Sequence, residues 1–158
     1  MDVDGVLTNG DIIYTDTGKE IKAFNVRDGL GIRMLIKAGI QVGIVTGRSS
    51  GALLHRCADL GIEIVYHGVH NKGDILKEVM LKTGLNPREI AFVGDDTPDI
   101  SLLKKVGVGI AVADAHEIVK AIAHMTTQRN GGNGAIREIC EWILKAKGVW
   151  EEIAHQWE

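Results

Sequence analysis

Short apolar runs rich in β-branched residues alternate with longer stretches of helical periodicity along most of this 158-residue chain. Strands are expected at 42–45, 63–66, 90–93 and 108–111, and helices near 29–38, 50–60, 73–83, 99–105, 115–122 and 134–146. Such alternation builds βαβ units, which bury a parallel sheet beneath helices on both faces. The fold class is therefore α/β, a Rossmann-like parallel sheet, and at this length one domain spanning 1–158 is expected. Twenty glycines and only two prolines suit the many turns such a fold needs.

Two segments break the rhythm. Residues 10–25 alternate around Asp16-Thr17-Gly18, a turn signal, and read as a β-hairpin inserted after the first strand. It is too short for a separate cap domain. Residues 149–158 carry Trp150, Ile153, Ala154 and Trp157 at helical spacing, suited either to packing on their own domain or to docking on a neighbouring subunit.

A net charge of −3 gives no reason to expect nucleic-acid binding. No apolar run reaches the ~18 residues of a membrane span, and no signal peptide is visible. Cys57 and Cys140 lack metal-ligand spacing and read as reduced thiols of a cytoplasmic protein.

The chemistry lies where polar residues follow the apolar runs. Asp2 and Asp4 are spaced i, i+2, so an extended chain directs both carboxyl groups to one side, just before Gly5. Thr46-Gly47-Arg48 follows one strand, Lys72 opens a helix after Asn71, and Gly94-Asp95-Asp96-Thr97-Pro98-Asp99 follows another strand. Ligands of open parallel sheets bind outside the carboxyl ends of the strands, so these sites converge on one crevice. Each is ordinary alone: an acidic pair in a turn, a strand end, a surface lysine, and a helix cap before proline.

For a phosphate ester, every type has a task. Mg²⁺ bridges a carboxylate and a phosphate that otherwise repel, with Asp2 and Asp95 as its donors. Asp2 attacks phosphorus and Asp4 handles the leaving-group proton. Thr46 and Gly47 donate to phosphoryl oxygens, and Lys72 offsets their charge. Arg48 and Arg56, eight residues apart, suit a sugar-acid carboxylate or phosphate if both face the cleft, although Arg56 also suits a plain helix surface. Asp28 either shapes the site or caps the following helix. Gly131, Gly132 and Gly134, with Arg137 after them, suit either anion binding at a helix start or simple chain reversal.

DVDGVLT, Thr46, Lys72 and GDDTPD, in this order, resemble the four motifs of the haloacid dehalogenase superfamily. The resemblance implies Asp2 as nucleophile and Asp4 as acid/base. It implies a metal held by Asp2, the Asp4 carbonyl and Asp95, with Asp96 assisting through water. GVLTNG with the hairpin, FNVRDGLGI, TGRSS, RCADLGI and GGNGAIREI further resemble the capless 3-deoxy-D-manno-octulosonate 8-phosphate phosphatases of lipopolysaccharide precursor synthesis. That resemblance implies a homotetramer built by hairpin and tail, with neighbouring subunits helping to close each site, and Arg48 and Arg56 as substrate contacts. Asn9 stands where that family usually has Asp. A usual strand of ~5–6 residues has only Met1 ahead of Asp2, so residues upstream of Met1 are expected.

Three other readings share these residues. A receiver-type switch also combines Asp, Thr and Lys, but places its acidic pair first and its phosphoacceptor second. A phosphatase for a nine-carbon 2-keto sugar acid 9-phosphate differs only in substrate. A non-catalytic homologue is disfavoured by the complete catalytic set.

Overall fold

The computed structural model describes residues 1–155. A parallel pair, β3 (Gly43–Val45) and β4 (Ile64–Tyr66), lies on one side of the molecule's centre. A parallel triple, β5 (Ala91–Gly94), β6 (Val108–Ala111) and β7 (Met125–Thr126), lies on the other. Met1 and Asp2 join them. The Met1 amine donates to the Gly43 carbonyl at 2.9 Å, Val45 N–H to the Met1 carbonyl at 3.0 Å, and Asp2 N–H to the Val93 carbonyl at 2.9 Å. The spatial order is thus β4-β3-(Met1, Asp2)-β5-β6-β7, and the sheet switches direction of growth at Asp2.

Successive strand residues point to opposite faces. Ile44 and Val45, Phe92 and Val93, and Ile110 and Ala111 are nevertheless all buried, so both faces are covered. Two helix groups cover them. α1 (Val26–Lys37) packs with α2 (Gly51–Leu60), α6 (Ala135–Ala146) and α7 (Trp150–His155). α4 (Ile100–Leu103) packs with α5 (Glu117–Ile122). α3 (Ile75–Thr83) follows a 3-10 turn over Lys72–Asp74 and leads to β5. The expected strands and helices fall within a few residues of their positions, and β7, a two-residue edge strand, is an addition that no apolar run announced.

Sequence-local signals set several boundaries. Asn25 caps α1 by accepting from Arg27 N–H at 2.8 Å. Gly61 closes α2 in the left-handed conformation, with Ile62 N–H bonded to the Cys57 carbonyl. Asp28 does something the sequence did not foretell. From the first turn of α1 it caps α6, more than a hundred residues away, accepting from Gly134 N–H at 3.2 Å and Arg137 N–H at 2.8 Å. α6 begins at a glycine with no side chain to cap it, and Asp28 supplies the missing acceptor. Those N–H groups are therefore not free to hold an anionic ligand. The glycines before α6 serve chain packing: a Cβ on Gly131 would sit 1.7 Å from the Gly5 carbonyl oxygen.

Asp28 is 1% exposed, and its loss leaves one buried and one partly buried donor without their partner. Asp28→Ala is expected to cost about 1–3 kcal/mol, read as a lower midpoint of urea unfolding at unchanged slope. An unchanged midpoint would remove the capping role.

The hairpin forms as expected, with β1 (Ile13–Tyr14) antiparallel to β2 (Glu20–Ile21). α7 seats Ile153 in the core and sets Trp150 against it, with the Arg137 guanidinium 5.5 Å from the Trp150 ring. These residues pack on their own domain. Trp157 lies outside the described residues. Among the described residues, no helix is long and apolar enough to cross a membrane.

Candidate active site

Asp2, Asp4, Lys72, Asp95, Asp96 and Asp99 line a cavity of about 270 Å³ at the carboxyl ends of the central strands. Asp2 closes the central segment, Thr46 follows β3 on one side, and Asp95 follows β5 on the other. This is the crevice expected of a sheet whose growth direction reverses.

Asp4 reaches it by a different route from the one the spacing suggests. The backbone is not extended there: the Val3 carbonyl accepts from the N–H groups of Val6, Leu7 and Thr8, a tight helical turn. Gly5 takes φ +84, and a Cβ there would lie 2.1 Å from Asp95 Oδ2. A turn, rather than the strand pleat, brings Asp4 beside Asp2.

Lys72 is 3% exposed, with Nζ hydrogen-bonded to Asp99 Oδ1 at 2.6 Å and 2.8 Å from Asp2 Oδ1. The Lys72 ammonium is thus shared between Asp2 and Asp99. Asp99, the last acid of the run after β5, is a site residue that the run alone does not mark. It also accepts from Asp95 N–H at 2.9 Å and Asp96 N–H at 3.3 Å, tying the turn after β5 to Lys72. Its local signal was its place three residues after Asp96, with which it forms a capping box around Thr97–Asp99. Asp96 sits at the rim and gives its carboxylate to Thr97 N–H.

Asp2, Asp95 and Asp99 offer oxygens within 4.8 Å of one another. When all three carboxylates are ionised, the one ammonium leaves a net charge of −2, which one divalent cation offsets. Asp99 is saturated by Lys72 and two N–H groups, which leaves Asp2 and Asp95 as donors. Hard carboxylate oxygens converging from two strand ends fit Mg²⁺. Burial first, and then repulsion from Asp99, Asp2 and Asp96, pushes Asp95 up to about 7. Burial, with Asp99 behind it, raises Asp2 as well, against the opposing pull of Lys72.

A carboxyl whose folded pKa exceeds its unfolded value binds its proton more tightly when folded, so stability falls as pH rises between about 4 and 7. A cation on Asp2 and Asp95 competes with that proton. Mg²⁺ is therefore expected to raise the melting temperature more at about pH 8 than at about pH 5. Equal shifts at both would contradict the assignment of Asp95 to the metal.

The other expected residues stand around this centre. Thr46 is 2% exposed, and its hydroxyl accepts from Arg48 N–H at 3.4 Å. Gly47 follows it. Arg48 brings Nε to 3.6 Å from Asp4 Oδ2. Thr46, Gly47, Arg48 and Arg56 do not themselves line the cavity, and Arg56 does not share a helix face with Arg48 as their spacing predicts. The Arg56 guanidinium lies 5.8 Å from the Phe24 ring and donates to the Asn25 carbonyl at 3.4 Å. The spacing argument needed a helix under both arginines, but α2 starts only at Gly51. Asn9 forms an exposed turn with Asp11 outside the centre. Lys22 of the hairpin also reaches Asp4 and pairs with Glu20, with no local sequence signal that the hairpin would fold over the site.

The model of the haloacid dehalogenase-like hydrolases matches residues 61–139. The 3-deoxy-D-manno-octulosonate 8-phosphate phosphatase of Escherichia coli K12 is 44% identical over 156 residues, covering 99% of this chain and 83% of that protein. The crystal structure of the Moraxella catarrhalis enzyme of that name, in complex with magnesium ion, phosphate ion and a KDO molecule, superimposes with a TM-score of 0.97. It is 40% identical, and the match covers 100% of this chain and 91% of that one. A cobalt-bound form of the Haemophilus influenzae phosphatase gives a TM-score of 0.91 at 42% identity, covering 94% and 87%. On this similarity the chain belongs to the haloacid dehalogenase-like hydrolases, in the family of the 3-deoxy-D-manno-octulosonate 8-phosphate phosphatases.

Proposed function

We propose that the protein is a Mg²⁺-dependent phosphomonoesterase acting on 3-deoxy-D-manno-octulosonate 8-phosphate. It releases the free sugar acid and phosphate within lipopolysaccharide precursor synthesis. The observation that carries this is the buried Asp2 carboxylate, flanked by Lys72 and Asp95 at the sheet's switch point, in a chain 44% identical to such a phosphatase. One hydrolase domain without a separate cap suffices.

Asp2 is the nucleophile: a carboxylate oxygen bonds to phosphorus as the bond to the sugar oxygen breaks. The electron pair of that bond stays on the sugar oxygen, which takes the proton of the Asp4 carboxyl group. Water then attacks the aspartyl phosphate, gives its proton to the Asp4 carboxylate, and restores Asp2. Mg²⁺, held by the Asp2 and Asp95 carboxylates and the Asp4 carbonyl with Asp96 assisting beyond, would offset the repulsion between carboxylate and phosphate. Lys72 favours the ionised form of Asp2 against burial and faces the transferring phosphoryl group, and Asp99 holds Lys72 in place. Thr46 and Gly47, which follow the strand bonded to Met1, suit donation to phosphoryl oxygens. Arg48 suits the sugar-acid carboxylate, whereas Arg56 is reserved by Phe24 and Asn25.

The active form is a homotetramer in this reading. Ile12, Ile13, Tyr14 and Ile21 of the hairpin are about half exposed, and a two-stranded hairpin is marginal alone. A cytoplasmic location accords with two unpaired buried thiols, that of Cys140 pushed up to about 12 by burial. The substrate assignment is tested by kcat/KM for eight- and nine-carbon 2-keto sugar-acid phosphates. The eight-carbon ester is expected to lead by about tenfold or more, the scale of a lost contact or two. Equal or reversed preference would move the enzyme to the nine-carbon class.

A further inference from the structure

Strand β2 is built inside out. Alternate residues of a strand share a side, and here Glu20 and Lys22 turn inward while Ile21 between them is 48% exposed. The Lys22 side chain is only 2% exposed, and long charged side chains are seldom buried unless paired. Its ammonium donates to Asp4 Oδ1 and lies 3.0 Å from Glu20 Oε1. Arg48 completes a ring, with Nε 3.6 Å from Asp4 Oδ2 and Nη2 3.2 Å from Glu20 Oε1. Each oxygen of Asp4 thus faces a different cation, and Glu20 touches both.

The two cations are not equivalent. Lys22 is sealed from solvent between two carboxylates. The Arg48 side chain is 40% exposed, and its Nε, itself buried, has no hydrogen-bond acceptor. Arg48 is therefore able to turn to a substrate while Lys22 stays.

We propose that Lys22, anchored by Glu20, is a positioning residue that orients the Asp4 carboxyl group for proton transfer. By occupying Oδ1 it leaves Oδ2 to carry the proton toward the leaving oxygen. The hairpin then belongs to the catalytic apparatus, with its charged side committed to Asp4 and its apolar side left for other contacts. This rests on Asp4 being the proton donor in the reaction above.

The test compares two esters. A sugar alkoxide needs protonation to leave, whereas the phenolate of p-nitrophenyl phosphate does not. Lys22→Met is expected to lower kcat on the sugar-acid phosphate about 100-fold, the low end of general acid catalysis, with KM nearly unchanged. On the aryl ester the first step, read as the burst of p-nitrophenolate before Asp4 acts as base on water, should slow by no more than about fivefold, since the phenolate needs no acid. Lys22→Arg, which restores a cation, should recover part of the difference. Equal losses on both esters would reduce Lys22 to a structural prop and overturn the proposal, as would an unchanged kcat. Should Lys22→Met not fold, Glu20→Gln, similar in size and still able to accept a hydrogen bond, is judged by the same ratio. Wild-type protein that leaves the sugar-acid phosphate intact would overturn the functional reading itself, a result distinct from a variant that matches an active wild type.

Discussion

Asp2→Asn is expected to abolish turnover, by roughly 10⁴-fold or more, the scale of losing a nucleophile, while the protein keeps its fold. The carboxamide is nearly isosteric, and Asp2 N–H stays bonded to the Val93 carbonyl, so the sheet junction is preserved. What disappears is the oxygen that bonds to phosphorus. The change also removes one of the crowded carboxylates whose repulsion raises Asp95. The metal-free variant should therefore melt no lower than the wild type. Residual phosphatase activity within tenfold of wild type would remove Asp2 from the nucleophile's role.

Lys72→Met should act on stability and rate together. Burial alone would push the Lys72 pKa down, but the charges of Asp2 and Asp99 prevail and raise it above its ordinary value. Its contribution is thus fully present throughout the neutral range and fades only as strongly alkaline pH passes that raised pKa. Replacing it with an apolar side chain leaves Asp2 and Asp99 facing each other without a cation. Breaking a buried pair in this way typically costs about 3–5 kcal/mol, visible in chemical unfolding with a chelator present. Mg²⁺ should return part of that loss because it supplies positive charge to the same carboxylates, yet kcat should stay depressed. A variant as stable as wild type with chelator would contradict the electrostatic account of Lys72.

The sheet and its helices were legible because their signals are local. Runs such as those around Ile44 and Phe92 are apolar on consecutive residues, which only a strand covered on both faces tolerates. The convergence of Asp2, Lys72 and Asp95 was legible for a similar reason, since each follows a strand or opens a helix at the same sheet edge. Asp4 was expected on the right side for the wrong reason. Periodicity described an extended chain, whereas Gly5 permits a turn that periodicity cannot express.

What the sequence hid depends on contacts far apart in the chain. Asp28 looked like a cap for its own helix, but Asn25 takes that place and Asp28 caps α6 instead. Arg56 had helical spacing from Arg48 without a helix to give that spacing meaning. Asp99 was read as the tail of an acidic motif, although its burial makes it the partner that holds Lys72. Nothing near Lys22 in sequence indicates that Asp4 will meet it, because the angle of the hairpin over the sheet decides that contact.

The central claim is turnover through Asp2 on a sugar-acid phosphate, and the time course of phosphate release from 3-deoxy-D-manno-octulosonate 8-phosphate tests it most directly. With Mg²⁺ the release should continue linearly until substrate is exhausted, stop on chelation, and be absent in Asp2→Asn. Phosphate that instead remains on the protein for minutes, with no continuing release, would contradict the account and mark the chain as a phosphoacceptor switch.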